Sequence, residues 1–157
     1  MSNKTLLIFT DIGDDIDDSL ALTYLSEHTS HRICAVIGSH WNIDYRVQSA
    51  QELFNYFDTS PPLIVGMRHL FTHDTTQESE RLVQEIKQHL PHNEKITILC
   101  LCAATDLAYF LLGAPEVKDL IEEILGEIRD EHDDPSDAGF EGPMGGPRVV
   151  PGDISII

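Results

Sequence analysis

The chain has 157 residues, 41% of them hydrophobic, which is the length of one ordinary domain and enough apolar material for a core. Ten Lys and Arg against 27 Asp and Glu give a formal charge of -17. That balance argues against nucleic acid and anionic membrane surfaces as partners, since phosphates are held through Lys and Arg.

The N-terminus has no basic segment followed by an apolar run and a small-residue cleavage site, and no apolar run reaches membrane-spanning length. A cytoplasmic protein is therefore expected. In chain order, "KTLLIFT" (4–10) reads as a strand and leads through "DIGDDIDD" into the apolar helix pattern "SLAL". "RICAVIG" (32–38) is a second strand, and Val47, Ala50, Phe54 and Phe57 mark one face of the helix after it. "PLIVG" (62–66) is a third. His69 and His73 in "RHLFTHD" are four apart, but two His make an incomplete metal site, and the flanking Gly66 and Thr-rich run predict a surface loop. Leu82, Val83, Ile86 and Leu90 form another helical face, and "KITILCL" (95–101) a fourth strand. Cys100 and Cys102 alternate there as reduced packing residues, and three cysteines give no disulfide framework. A helix is expected over 115–128, with Glu116, Glu122, Glu123 and Glu127 on a solvated face.

Alternating strands and helices with right-handed crossovers predict an α/β fold, an open, mostly parallel sheet with helices on both faces. The domain is expected to span 1–128, followed by an acidic, Gly/Pro-rich loop (129–147) and a terminal strand (148–157). The apolar ending at Ile156 and Ile157 predicts either that this strand pairs into the sheet or that the chain continues in a fuller relative.

Ligands of such sheets bind beyond the carboxyl ends of the strands, where Asp11, Asp14, Asp15, Asp17 and Asp18 cluster. A turn beside Gly13 and a helix cap would use one or two of these acids. Five in eight positions repel one another without a cation, and hard divalent ions bind such oxygen clusters. The Asp-x-Asp of haloacid dehalogenase-type phosphatases does not match Asp11-Ile12-Gly13-Asp14. The phosphoacceptor Asp of a response-regulator receiver is missing from "PLIVGM".

The stretch "TDIGDDIDDSLAL" resembles the nucleoside hydrolase family of the inosine-uridine preferring type, whose first strand leads into Asp-Pro-Gly-x-Asp-Asp and an Ala/Leu-rich helix. Asp11, Gly13 and the pair Asp17-Asp18 match. Ile12 replaces Pro, Phe9 stands where an earlier Asp is usual, and two extra residues precede the acidic pair. "ICAVIGSHWNIDYRVQSAQELFNYF" is similar to the second strand with its ribose-contacting Gly-Asn turn, and "PPLIVGMRHL" to the third strand. "ITILCLCAATDLAYFLLGAPEV" is similar to the Gly-Pro-Leu-Thr-Asn-Leu-Ala segment, with Asp106 in place of Asn. The resemblance covers residues 4 to about 125 and implies a Rossmann-like fold shortened at its C-terminus. Family members run to roughly twice this length, and their second half supplies a further Asp ligand and often a His near the leaving base.

The resemblance implies Ca2+-dependent hydrolysis of the N-glycosidic bond of ribonucleosides to ribose and free base. Asp11 is then the general base and a metal ligand, Asp18 a metal ligand, and Thr105 a ligand through its backbone carbonyl. Asp15 rivals the acidic pair for the metal, Asp17 binds a ribose hydroxyl, and Asn42, chosen over Ser39, sits in the ribose-contacting turn. His40 and Trp41 also fall at the ligand edge, where Trp41 either stacks on a base or packs on the surface. The alternatives are a non-catalytic, metal-dependent ribose or nucleoside binder and an inactive fragment acting through a partner. A homo-oligomer or a partner chain is expected in each case.

Overall fold

A computed structural model describes residues 3–13, 15–28, 30–68 and 76–126, all within the compact unit Met1–Glu127. Strand β1 (Thr5–Thr10) leads to helix α1 (Ile16–His28), β2 (Arg32–Gly38), α2 (Ile43–Tyr56), β3 (Leu63–Val65) and α3 (Thr76–His89). β4 (Ile96–Cys100), α4 (Thr105–Gly113), a 3-10 turn (Pro115–Leu120) and β5 (Ile121–Gly126) follow. The strands form one open sheet in the order β3-β2-β1-β4-β5, with every pairing parallel. This is the α/β class expected from the alternation of strand and helix patterns.

All six residues of β1 are buried, because alternate side chains serve two cores. Leu7 and Phe9 face Leu82, Val83 and Ile86 of α3 and Leu107 and Phe110 of α4. Leu6 and Ile8 face Leu22 of α1 and Ala50 and Phe54 of α2. A strand with only one buried face would alternate with polar residues; "LLIF" does not. Phe54 and Phe110 are fully buried, and truncating either to Ala costs about 3–5 kcal/mol.

The chain runs outward from β1 through β2 to β3, then crosses back to lay β4 against the other edge of β1. Connections therefore leave the adjacent strands β1 and β4 in opposite directions. Their carboxyl ends form the switch-point crevice where open α/β sheets bind ligands.

The helix expected over 115–128 is not formed. Pro115 opens the 3-10 turn, and Ile121–Gly126 is a fifth strand in which Ile121 lies beside Ile96 and Ile124 beside Ile98. The β-branched Ile121 and Ile124 pack against the core, whereas helical spacing of the glutamates suggested a solvated face. Glu123 is half-buried and takes Lys4 Nζ and Thr97 Oγ1, the latter at 3.2 Å, so its charge is met by residues remote in sequence. Glu116 pairs with Lys87. β4 ends at Cys100, leaving Cys102 in the bend that leads to α4. Asp14, the His69–His73 loop and the expected loop and strand over 129–157 lie outside the described residues. Among the described residues no helix is long and apolar enough to cross a membrane.

A candidate active site at the carboxyl edge of the sheet

The end of β1 is closed by a residue from α1. The fully buried Thr10 donates its hydroxyl to Asp18 Oδ2 and accepts the Ile12 N–H at 3.1 Å, and the Asp11 N–H also donates to Asp18 Oδ2, at 3.1 Å. Asp18 thus supplies the acceptor that turns the chain from strand to helix. Gly13 makes the same turn with φ of 103°, and a Cβ there would lie 2.7 Å from the Tyr45 ring of α2, so only glycine fits. Burial raises the Asp18 carboxyl to about 6; the Thr10 hydroxyl opposes the shift, and the Asp11 and Asp17 carboxylates add to it.

Beside this turn, the half-buried Asp11 places Oδ2 3.4 Å from His40 Nδ1 at the end of β2. His40 holds a left-handed backbone (φ 72°), and its Nδ1 is buried without a hydrogen-bond partner among the described residues, within ion-pair reach of Asp11 but outside hydrogen-bond geometry. The His40 ring meets the exposed Trp41 edge-on at 5.6 Å. Arg46, buried in α2, fixes the two loops to each other: Nε donates to the Trp41 carbonyl at 3.0 Å and a terminal nitrogen to the Ile12 carbonyl at 3.3 Å.

A second buried acid joins the other strand ends. Ser39 donates its N–H to the Thr10 carbonyl at 2.8 Å and its hydroxyl to Asp106 Oδ2 at 2.9 Å. The Met67 N–H reaches the same Oδ2 at 3.3 Å. Gly66 leaves no room for a Cβ against this carboxylate. The ends of β2 and β3 are therefore tied to the first turn of α4, and the Asp106 carboxyl is raised by burial, an effect its Ser39 and Met67 bonds oppose. Asp106 Oδ1 is buried with no hydrogen-bond partner among the described residues.

Of the residues singled out in the sequence, Asp11 and Asp18 come together. Asp15 and Asp17 are exposed, before and within the first turn of α1. Thr105 begins α4, half-buried, next to Asp106. Asn42 is the exposed N-cap of α2 in a left-handed conformation (φ 52°); its carbonyl, rather than its side chain, accepts the Tyr45 and Arg46 amides. Among the described residues, no three His, Cys, Asp or Glu side chains are gathered as a metal-binding group. Sequence reasoning missed Arg46, which lies 34 positions from the Ile12 carbonyl it holds, and the tie made by Asp106. A lone acid within "AATDLAYFLL" was the one available hint of the latter.

No family model and no curated protein matches the sequence. Among solved structures, the chain is similar to an inosine-guanosine nucleoside hydrolase, with a TM-score of 0.61 at 14% identity over 79% of this chain and 49% of that one. It is similar to the type III effector protein XopQ, solved complexed with adenosine diphosphate ribose, with a TM-score of 0.60 at 18% identity over 79% and 44%. It is also similar to an inosine-uridine preferring nucleoside hydrolase from Bacillus anthracis, with a TM-score of 0.55 at 17% identity over 80% and 50%. The chain thus spans about half the length of the solved structures it matches, and at these identities the likeness is one of fold.

Proposed function

We propose that the chain carries the ribose-binding part of a nucleoside hydrolase site and hydrolyses the N-glycosidic bond of ribonucleosides. The observation that carries this reading is the Asp11–Asp18 pair at the switch point of a fold shared with nucleoside hydrolases. Departure of the base leaves positive charge on the ribose ring, which nearby carboxylates favour electrostatically. In the proposed step a water oxygen bonds to the sugar carbon as the bond to the base breaks. Asp11 takes the water's proton, and the leaving base acquires one from solvent. Asp11 suits this task because its amide is fixed by Asp18 while its carboxylate reaches the half-open edge beside His40.

The donor chemistry of the loop fits a hard cation. Asp11 and Asp18 press on each other as like charges, and Asp18 is raised partly for that reason. Asp11, Asp18 and the Thr105 carbonyl would hold Ca2+, with Asp15 a further donor of the same loop and water completing the roughly six to eight oxygens the ion takes. When bound, the ion supplies a template for water and the sugar hydroxyls and stabilises developing negative charge on oxygen. Asp17 and Asn42 are proposed to meet the ribose.

The alternative is a ribose or nucleoside binder without turnover. Base release from a panel of ribonucleosides with added Ca2+ separates the two. Turnover that falls about 10²–10⁴-fold in Asp11→Asn supports the hydrolase. Saturable nucleoside binding without base release supports the binder, and neither result overturns both. The homo-oligomer or partner chain expected from the sequence is likewise a proposal, which light scattering of the purified chain tests.

A further inference from the structure

Helix α1 is apolar on two sides. Leu22 and Leu25 pack into the core beneath it, while Ile16, Leu20 and Tyr24 on its outer side are 73%, 59% and 60% exposed. Spaced four apart, these three form one row along the helix, which His28 continues with its ring 5.3 Å from that of Tyr24. A surface helix ordinarily turns polar residues outward. α3 does so, since its exposed residues, Thr76, Gln77, Glu80, Gln84, Lys87 and Gln88, are all polar. On α1 three of the six exposed positions carry large apolar side chains, the others being Asp17, Glu27 and His28. The two ends of the row also differ in charge. Its start lies beside Asp11, Asp15 and Asp17 at the carboxyl edge of the sheet. Its end lies at the amino edge, where His28 and Arg32 each stand 3.4 Å from an acid, Glu27 and Glu94.

We propose that α1 docks on α1 of a second copy of this chain, antiparallel and about a two-fold axis that passes between Leu20 and Tyr24. A two-fold contact needs a patch that complements itself when reversed, and this row does. Its first half is aliphatic and its second aromatic, so the rotation lays Leu20 against the partner's Tyr24 and Ile16 against the partner's His28. The same rotation sets the acidic start of each row beside the end that holds the other's bases. A parallel arrangement would instead bring the two aspartate loops together, where like charges repel. One helix pair buries less than the roughly 800 Å² per partner of a standard interface, so the dimer exchanges with monomer at micromolar concentrations. This surface rests on the self-association proposed above and is independent of nucleoside turnover.

Sedimentation of the whole chain across micromolar to millimolar concentrations should show a reversible monomer–dimer equilibrium. Leu20→Glu puts an unpaired charge at the centre of the contact and should weaken dimerisation by about tenfold or more. Tyr24→Glu should do the same, while Leu112→Glu, at an exposed apolar side chain of α4, should leave the equilibrium unchanged. Circular dichroism confirms that each variant is folded. Orientation is read by a short bismaleimide in a Cys102→Ser background, where the remaining Cys34 and Cys100 are buried. Ile16→Cys and His28→Cys chains should join to each other when mixed, and neither to itself, because positions 16 and 28 lie about 18 Å apart along the helix. A monomer at every concentration would overturn the proposal and leave the row to another occupant. A dimer indifferent to both glutamate variants would keep the association and overturn this surface, and Ile16→Cys joining to itself would overturn the antiparallel pairing.

Discussion

Asp18 accepts the backbone N–H of Asp11 at 3.1 Å, so the carboxylate that closes the first loop is also one whose ionisation burial, and after it the charges of Asp11 and Asp17, disfavours. Its pKa is about 6 in the folded chain against 3.8 for the ordinary side chain. A proton is therefore held more tightly in the folded state. The stability this provides is fully present below pH 3.8 and lost as the pH rises through about 6. Asp18→Asn keeps an oxygen acceptor and removes the charge. In chelator at pH 7 it should be the more stable protein by about 1–3 kcal/mol, with the gap closing below pH 4. Thermal melts across that range check this, and a less stable variant at neutral pH would contradict it.

Calcium should reverse that order. An ion that binds the native loop and not the unfolded chain stabilises by about 2.7 kcal/mol at a hundredfold excess over its Kd. Asp18→Asn should lose most of this gain. Equal melting temperatures in Ca2+ and in chelator, for folded wild type, would remove the ion from the proposed chemistry.

Arg46 holds two loops through the Ile12 and Trp41 carbonyls from a buried position. Arg46→Met strips both acceptors of their donor and should cost about 2–4 kcal/mol in urea unfolding. Arg46→Lys should rescue little, because one ammonium lacks the planar fork that reaches both oxygens. Full rescue by lysine would mean that the charge, and not the fork, is what the loops require.

For Asp106 the expected pattern is the reverse of an essential charge. The work is done by Oδ2, which an asparagine oxygen can reproduce for Ser39 and Met67, while burial disfavours the ionised acid. Asp106→Asn should therefore be as stable as wild type, or more so, at pH 7. Asp106→Ala leaves the Ser39 hydroxyl and Met67 amide without their acceptor and should cost about 2–4 kcal/mol. Chemical denaturation of the two variants distinguishes these outcomes.

The sheet was legible because a strand buried on both faces must be apolar throughout, as in β1, and no other short element demands that. Asp11 and Asp18 were legible as a pair because their crowding is costly within a few residues of chain. β5 was not: its glutamates mimic a helical surface, and the partners of Glu123, Lys4 and Thr97, lie 119 and 26 positions away. Arg46 was hidden for a similar reason. A single arginine in an amphipathic helix reads as solvent-facing until the fold brings two carbonyls to it. Asn42 shows the opposite limit, since a helix cap and a ligand-contacting turn draw on the same residue types.

The central position of β1 also governs the order of assembly. One edge of β1 pairs with β2, which follows closely in the chain, but the other waits for β4, with Thr5 beside Ile96 and Phe9 beside Cys100. Contacts of such long range slow folding, since most of the chain must be constrained before they form. A nascent chain that has emerged only as far as β3 can build β1, β2 and α1, yet it presents the backbone groups of β1 to any passing strand. The seam between β1 and β4 thus cannot close until β4 has emerged, and chains stalled before that point are the ones most exposed to misassembly.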